Sequence, residues 1–265
     1  MSNFQYLSAS ALDEAAAKLK GAQDGALLAG GMTLLPSIKL GLSDPSDVVD
    51  LAGISDLAGI SVKGGSVTIG AMTRHADVAG SSDVAKAIPA LAALAGGIGD
   101  QQVRNRGTIG GSIANNDPAA DYPAACLALG ATITTDSRSI SAEDFFTGLF
   151  ETALGEGEII KSVSFPTAEK TAYQKFTSPA SRYALVGVFV AVGSDGVRVA
   201  VTGCGQGGVY RESGLEAALG GDFSAGALDG QTVSGDNLMS DIHAAADYRA
   251  HLIVEMAKRA VAACG

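Results

Sequence analysis

The sequence predicts a protein of mixed helices and strands that divides into two parts near residue 168. Short apolar strand-like runs alternate with helical runs before that point, and the composition changes after Pro166, where the polar connector Thr167-Ala168-Glu169-Lys170 leads into paired strands. A chain of 265 residues, 47% of them hydrophobic, can build a substantial core as one large domain or two smaller ones.

The first fifty residues alternate strands with helices. We expect Ser10 to cap the first helix, which carries Asp13 and Glu14 in its first turn. The predicted elements are a strand at Phe4–Leu7, a helix from Ala11 to Lys20, a strand at Ala26–Ala29, a helix from Leu34 to Leu40 and a strand at Val48–Leu51.

A hairpin and several helices are predicted next. Gly64-Gly65 separates two alternating runs, as a two-residue hairpin turn requires. The other predicted elements are helices at Thr73–Ala79, Val84–Gly96 and Tyr122–Leu129, and strands at Ala131–Thr134 and Ile159–Phe165.

Beyond the connector, we predict two paired strands, Ala184–Val192 and Val197–Val201, and a final helix from Ala245 to Ala263. The run Gly203-Cys204-Gly205-Gln206-Gly207-Gly208 fits the spacing GxGxxG, but a dinucleotide fingerprint should open a helix within a strand–helix–strand unit. The strands before this run indicate a hairpin instead. We therefore predict a tight connection between a strand and a helix.

Two glycine pairs indicate a phosphate-containing cofactor. Gly30-Gly31 follows a predicted strand, and Gly110-Gly111 lies between Thr108 and Ser112. Glycine lacks a Cβ, so backbone N–H groups at such positions can turn toward one anion. With 35 glycines in the chain, either pair alone is weak evidence. The two pairs together favour a diphosphate site, and Asp121 supplies a carboxylate that can accept hydrogen bonds from sugar hydroxyls.

Charge and cysteine content exclude several classes of function. The net charge of −10 argues against a nucleic-acid partner, because binding the phosphate backbone needs lysine and arginine. Three widely separated cysteines cannot hold an iron–sulfur cluster, which needs four thiolates. There is no apolar run of about 18 residues and no secretory pattern, so we expect a cytoplasmic protein without a transmembrane segment. We find no metal-ligand spacing and no catalytic triad.

Further candidate residues permit two interpretations each. Lys175 and Tyr183 lie just past the predicted boundary, where they could reach a flavin across a cleft or be ordinary interface residues. Arg104 and Arg106 could meet phosphate or pair with acidic neighbours. His75 could attach covalently to a flavin, although a core or surface histidine is the commoner case.

Two longer motifs resemble a known family. The run Leu28-Ala29-Gly30-Gly31-Met32-Thr33-Leu34-Leu35-Pro36 resembles the first flavin-binding loop of the medium subunits of molybdenum hydroxylases, and the run from Asp100 through Gly107 into the second glycine pair and Asp121 resembles the second. The likeness extends to Tyr173–Phe176 and Arg182–Gly187. It is strongest to the medium chains of the carbon monoxide dehydrogenase and xanthine dehydrogenase type.

The resemblance implies an α+β fold and a cofactor, FAD. It implies a PCMH-type FAD-binding domain at residues 1–168, with subdomains at about 1–55 and 56–168, followed by a smaller α+β domain with an antiparallel sheet at 169–265. Some members carry histidine where this chain has Met32, and methionine suits that position if the backbone amide, rather than an imidazole, binds the cofactor. By carry-over, FAD would contact Ala29, Gly30, Gly31, Met32, Thr33, Leu34, Ile98, Thr108, Ile109, Gly110, Gly111, Ser112, Asp121, Ile160, Lys175 and Tyr183.

The roles implied for these residues differ. The two glycine segments would cradle the diphosphate, Asp121 would bind hydroxyls of the sugar-alcohol chain, and Tyr183 would stack near the isoalloxazine ring. Ile98 and Ile160 match apolar positions near the flavin or adenine, and Lys175 would contact the flavin side of the cleft.

The resemblance also implies partners. A small subunit with two [2Fe-2S] clusters would pass electrons through FAD to an external acceptor, and a large molybdopterin-binding subunit would oxidise the substrate, in a dimer of heterotrimers. Carbon monoxide is the first substrate to consider, and xanthine or an aromatic heterocycle is the alternative. A self-contained flavin oxidase and a flavin-free binding module remain as rival functions.

Overall fold

The computed structural model describes residues 3–264 and confirms a fold of mixed helices and sheets, with antiparallel sheets beside one parallel sheet. The first region holds a three-stranded parallel sheet of order β1-β3-β2. Its elements are β1 (Gln5–Ser8), α1 (Leu12–Gly21), β2 (Gly25–Leu28), α2 (Leu34–Lys39) and β3 (Asp47–Asp50).

The start of α1 differs from the prediction. The helix begins one residue late, with Ala11 rather than Ser10 at the N-cap. Ser10 instead donates its backbone N–H and its hydroxyl to the Glu14 carboxylate, both at 2.8 Å. Ser10 therefore contacts the first turn of α1 as a hydrogen-bond donor to Glu14, not as the capping acceptor that the sequence predicted.

The second region contains a five-stranded antiparallel sheet of order β4-β5-β10-β6-β7, with helices inserted before β6. The Gly64-Gly65 hairpin is confirmed between β4 and β5. The elements are β4 (Ile60–Lys63), β5 (Ser66–Gly70), α3 (His75–Gly80), α4 (Ser82–Ala87), α5 (Pro89–Gly96), α6 (Gln101–Arg104), α7 (Ile109–Asn115), α8 (Tyr122–Leu129), β6 (Thr132–Thr135), β7 (Ser139–Ser141), α9 (Ala142–Phe145), β8 (Phe146–Gly148), β9 (Glu151–Thr152) and β10 (Ile160–Pro166).

Two predictions in this region are wrong in detail. The helix predicted over 84–96 is two helices, because Ile88 leaves the helical conformation and Pro89 starts a new helix at its first position. The segment after Thr108 is helix α7 rather than a loop, so the second glycine pair lies in the first turn of a helix. The Thr108 side chain caps this helix by accepting a hydrogen bond from the Gly111 N–H.

The third region is a four-stranded antiparallel sheet with two helices. The predicted pairing across Ser194-Asp195-Gly196 is confirmed. The run Gly203–Gly208 opens no helix, as predicted, but it leads into a short strand rather than directly into a helix. The elements are β11 (Lys170–Thr177), β12 (Ala184–Gly193), β13 (Gly196–Thr202), β14 (Tyr210–Arg211), α10 (Ser213–Gly221) and α11 (Ala246–Ala263).

The third sheet is covered on both faces. On one face of β12, Phe189 and Ala191 join the core that contains α5 and α8. On the other face, Val188 and Val190 join the core formed with α11. The third sheet therefore packs directly against the second region. The domain boundary at residue 168 and the subdomain boundary near residue 55 stay predictions.

Two cysteines lie in these cores. Cys126 and Cys204 are buried free thiols, and burial raises the pKa of Cys204 to about 12. Such thiols are protonated at neutral pH and serve as small apolar side chains. Within residues 3–264, no helix is long and apolar enough to cross a membrane.

Candidate functional site

A cavity of about 640 Å³ brings the predicted site residues together. Ile109 and Lys175 do not line it. Ile109 is fully buried in the core, and Lys175 lies behind the wall. The predicted residues that line the cavity are Ala29, Gly30, Gly31, Met32, Thr33, Leu34, Ile98, Thr108, Gly110, Gly111, Ser112, Asp121, Ile160 and Tyr183.

The two glycine segments pack so closely against neighbouring parts of the chain that some of their glycines leave no room for a side chain. A Cβ on Gly30 would lie 2.1 Å from the Arg106 carbonyl oxygen, and one on Gly110 would lie 2.6 Å from the Ala71 Cβ. A Cβ on Gly111 would lie 3.5 Å from the Ala29 Cβ, so the two segments face each other. Glycine is required at Gly30 and Gly110 because backbone and side-chain atoms approach so closely.

The first segment carries unused hydrogen-bond donors. Gly31 has a φ of +74°, which turns the chain sharply after β2. In the part of the chain that the structure describes, the backbone N–H groups of residues 30–34 donate to no protein acceptor. A succession of free amides on a cavity wall is the arrangement that holds a phosphate or diphosphate.

The second segment is different, and its predicted chemistry needs correction. The N–H groups of Ile109, Gly110 and Gly111 already donate to the Thr73 carbonyl at 3.1 Å, the Ala71 carbonyl at 2.8 Å and the Thr108 hydroxyl at 3.2 Å. These amides cannot also grip an anion without losing those partners. The donors left to this segment in the described residues are the Thr108 N–H and the hydroxyls of Thr108 and Ser112, and both residues line the cavity.

A buried polar group joins β11 to the cavity wall. The Lys175 ammonium donates to the Gly97 carbonyl at 2.8 Å and lies 3.1 Å from the Asp121 carboxylate, which also accepts a hydrogen bond from the Tyr173 hydroxyl. Burial raises the pKa of the Asp121 carboxyl, and Lys175 and Tyr173 oppose that rise. Lys175 therefore acts on Asp121 rather than on the cavity, and sequence reasoning missed Tyr173.

The loop between β11 and β12 covers one end of the cavity. Ser178 N–H donates to the Tyr183 carbonyl, and Arg182 N–H donates to the Ser178 carbonyl, each at 2.9 Å. Ser181, Arg182 and Tyr183 line the cavity, and the half-exposed Tyr183 ring can cover a planar ligand.

His75, which the sequence offered as a flavin attachment point or an ordinary core or surface histidine, lies buried in the cavity wall. Burial lowers the pKa of its imidazole to about 4, with a smaller effect of the Arg104 charge, so the ring is neutral near pH 7. Its ring centroid is 5.4 Å from that of Tyr122. Arg104 donates to the carbonyls of Ile98 and Gly99, so it shapes the loop that carries Ile98.

Glu158 is a second lining residue that the sequence did not indicate. Its carboxylate accepts hydrogen bonds from Arg138, from the Gly155 N–H and from the hydroxyls of Thr135 and Ser137. The Arg138 hydrogen bond is the main reason that the pKa of Glu158 lies well below its usual range. The network fixes the turn that leads into β10 and Ile160.

Replacing Glu158 by glutamine should lower the free energy of unfolding at pH 7 by about 1–2 kcal/mol, because a neutral amide accepts the Gly155, Thr135 and Ser137 hydrogen bonds less strongly than the carboxylate does. A folded-state pKa below the unfolded value of 4.5 stabilises above that pH, and the effect is lost as the pH falls toward the folded pKa. The deficit of Glu158→Gln should therefore shrink in urea denaturation below about pH 4. The exposed Glu156→Gln is the control, and a deficit independent of pH would contradict this account.

The residues of the cavity fit a dinucleotide. Its volume lies within the range of about 300–1,000 Å³ typical of cofactor sites. One wall offers free amides at residues 30–34, and another offers the Thr108 and Ser112 hydroxyls. Apolar side chains of Ile98 and Ile160 and the Tyr183 ring are available for planar rings.

Comparison with known proteins gives consistent matches. Residues 2–168 match the family described as the FAD binding domain in molybdopterin dehydrogenase. The glyceraldehyde dehydrogenase medium chain of Sulfolobus acidocaldarius is 37% identical over 213 residues, which cover 78% of this chain and 76% of that protein. The nicotine 6-hydroxylase medium subunit of Paenarthrobacter nicotinovorans is 33% identical over 98% of this chain and 97% of its own. The solved carbon monoxide dehydrogenase of Hydrogenophaga pseudoflava, which lacks the Mo-pyranopterin moiety, contains a chain with a TM-score of 0.89 and 34% identity over 99% of this chain and 97% of its own.

Proposed function

The chain belongs to the FAD-binding subunit family of the molybdenum hydroxylases, and from this premise we propose that it passes electrons from the [2Fe-2S] clusters of a partner subunit through FAD to an external acceptor. The observation that carries this proposal is the row of unpartnered amides at residues 30–34 on the wall of the cavity.

The residues of this chain would bind and orient the cofactor. The amides of residues 30–34 would hold the diphosphate, and the Thr108 and Ser112 hydroxyls would add donors from the opposite segment. Asp121, held by Lys175 and Tyr173, would accept hydrogen bonds from the sugar-alcohol hydroxyls. Bound FAD supplies the ability to exchange electrons singly or in pairs, which suits a junction between one-electron clusters and a two-electron reaction.

The surroundings of the flavin would come from three side chains. Tyr183 would cover one face of the ring and exclude water from it, and Ile98 and Ile160 would contact the flavin or the adenine. The neutral His75 would add no charge to this wall. We propose that the substrate chemistry belongs to another subunit.

We propose that the partners are a small [2Fe-2S] subunit and a large molybdopterin-binding subunit in a dimer of heterotrimers, working in the cytoplasm, where the three free cysteines stay reduced. Carbon monoxide is the proposed substrate of the whole complex, on the strength of the full-length structural match. The similar match to a nicotine hydroxylase subunit supports an aromatic heterocycle as the second candidate.

Flavin titration tests the proposal. The purified chain, alone and with its co-purifying subunits, should bind one FAD, and the bound flavin should bleach when the small subunit delivers electrons from a reduced large subunit. A self-contained oxidase would instead turn over a small organic donor without partners. A complex that retains no FAD after incubation with the cofactor and removal of the excess would overturn the proposal.

A further inference from the structure

Arg182 brings an unpaired positive charge to a cavity that is otherwise acidic. The ionisable residues on the cavity wall are Asp100, Asp117, Asp121, Glu158, His75 and Arg182. His75 is neutral near pH 7, so Arg182 is the one cation among the lining residues of segment 3–264. Within that segment its guanidinium makes no hydrogen bond or ion pair, whereas Glu158 is paired with Arg138 and Asp121 with Lys175.

The backbone of the loop places Arg182 at the cavity in a rare conformation. Arg182 has a φ of +64°, a left-handed conformation that non-glycine residues rarely adopt. The hydrogen bonds between Ser178 and both Arg182 and Tyr183 close the loop and hold that conformation. A strained residue beside a binding cavity is an observation from which a functional role can be sought.

The position of Arg182 in the cavity indicates which part of the cofactor it meets. It is adjacent to Tyr183, the residue proposed to cover the flavin ring, and the free amides of residues 30–34 lie on a different segment. Lys175 is the other cation expected near the flavin, but its ammonium group donates hydrogen bonds to Asp121 and to the Gly97 carbonyl. Among the described residues that line the cavity, Arg182 is therefore the cation available to the ring.

We propose, resting on the function proposed above, that Arg182 is the cation that stabilises the reduced flavin and so raises its reduction potential. Oxidised flavin becomes an anion when it takes up two electrons and one proton. The electrons come from the partner's reduced clusters, or from dithionite in a titration, and the proton comes from solvent. A guanidinium near the ring attracts this anion more strongly than the neutral oxidised form, and salt weakens the attraction because Arg182 is exposed.

The midpoint potential of the bound flavin, measured by anaerobic dye equilibration on the assembled complex, tests the proposal. We expect Arg182→Gln to lower the preference for reduced over oxidised flavin about tenfold, which corresponds to about 30 mV for a two-electron couple. Arg182→Lys should retain most of the wild-type potential, and the difference between wild type and Arg182→Gln should narrow at high salt. The affinity for oxidised FAD should change little.

A control variant at a second arginine and two contrary outcomes complete the test of Arg182. Arg259→Gln removes an exposed arginine of α11 that does not line the cavity, and it should leave the potential unchanged. If Arg182→Gln weakens oxidised FAD binding tenfold with no change in potential, the guanidinium meets the diphosphate and the proposal is wrong. An unchanged potential together with unchanged affinity also overturns it. Failure of the wild-type complex to bind FAD would instead contradict the function proposed above.

Discussion

Replacing Gly30 by alanine should reduce the affinity for FAD at least about 100-fold, which corresponds to about 2.7 kcal/mol of binding free energy. The new Cβ would lie 2.1 Å from the Arg106 carbonyl oxygen and 2.7 Å from the Gly107 Cα. These are backbone atoms, so no side-chain rotation relieves the clash, and the two segments that face the cofactor must separate. We expect the free energy of unfolding of the apoprotein to fall as well, by about 1–3 kcal/mol.

FAD titration followed by absorbance, together with thermal unfolding of the apoprotein, measures both effects. Gly21→Ala is the matched control, because its Cβ would meet nothing within 4 Å and the position is helical. That variant should bind FAD normally and be slightly stabilised. A folded Gly30→Ala protein with wild-type affinity for FAD would show that the contact between the two segments does not shape the cofactor site.

The glycine segments could be predicted from sequence because their signals are local. A short apolar strand delivers Gly30-Gly31, and small hydroxyl residues surround Gly110-Gly111, so the pattern itself indicates where the backbone can approach an anion. The bounds of α8 were predicted for the same reason, since Gly130 ends that helix with a φ of +61°.

Features that depend on distant partners could not be predicted. The amides of Ile109 and Gly110 are occupied by carbonyls of Thr73 and Ala71, more than thirty residues away in sequence. Spacing alone did not show that Lys175 would pair with Asp121, or that Arg182 would line the cavity instead. Local pattern therefore identified the segments of the site, and tertiary contacts decided which of their groups are free.

Replacing Lys175 by methionine should lower the free energy of unfolding at neutral pH by about 3–5 kcal/mol. Lys175 and Asp121 have side chains that are 10% and 6% exposed, so the substitution leaves a buried carboxylate without its cation. Only the Tyr173 hydroxyl would then oppose the effect of burial on Asp121. The pKa of Asp121, already raised in the wild type, should rise further in the variant.

The sign of the pH dependence follows from that rise. A carboxyl group whose folded pKa exceeds its unfolded value of 3.8 destabilises the protein as the pH increases through the folded pKa. The deficit of Lys175→Met should therefore be largest at neutral pH and shrink on acidification, which is opposite to the direction for most paired carboxylates. Urea denaturation of the wild type and of Lys175→Met at about four pH values between pH 4 and pH 8 measures this difference in the free energy of unfolding.

A double variant separates the loss of charge pairing from the loss of packing. Lys175→Met combined with Asp121→Asn buries no charge and keeps an acceptor for Tyr173, so it should recover more than half of the lost stability and lose the pH dependence. Lys258→Met removes the cation beside the exposed Asp229 and should leave stability nearly unchanged, because exposed ion pairs contribute little. If the double variant is no more stable than Lys175→Met, the packing of the Lys175 methylene groups, rather than the ammonium charge, stabilises this wall of the cavity. Asp121 would then not need the charge of Lys175 to contact the cofactor.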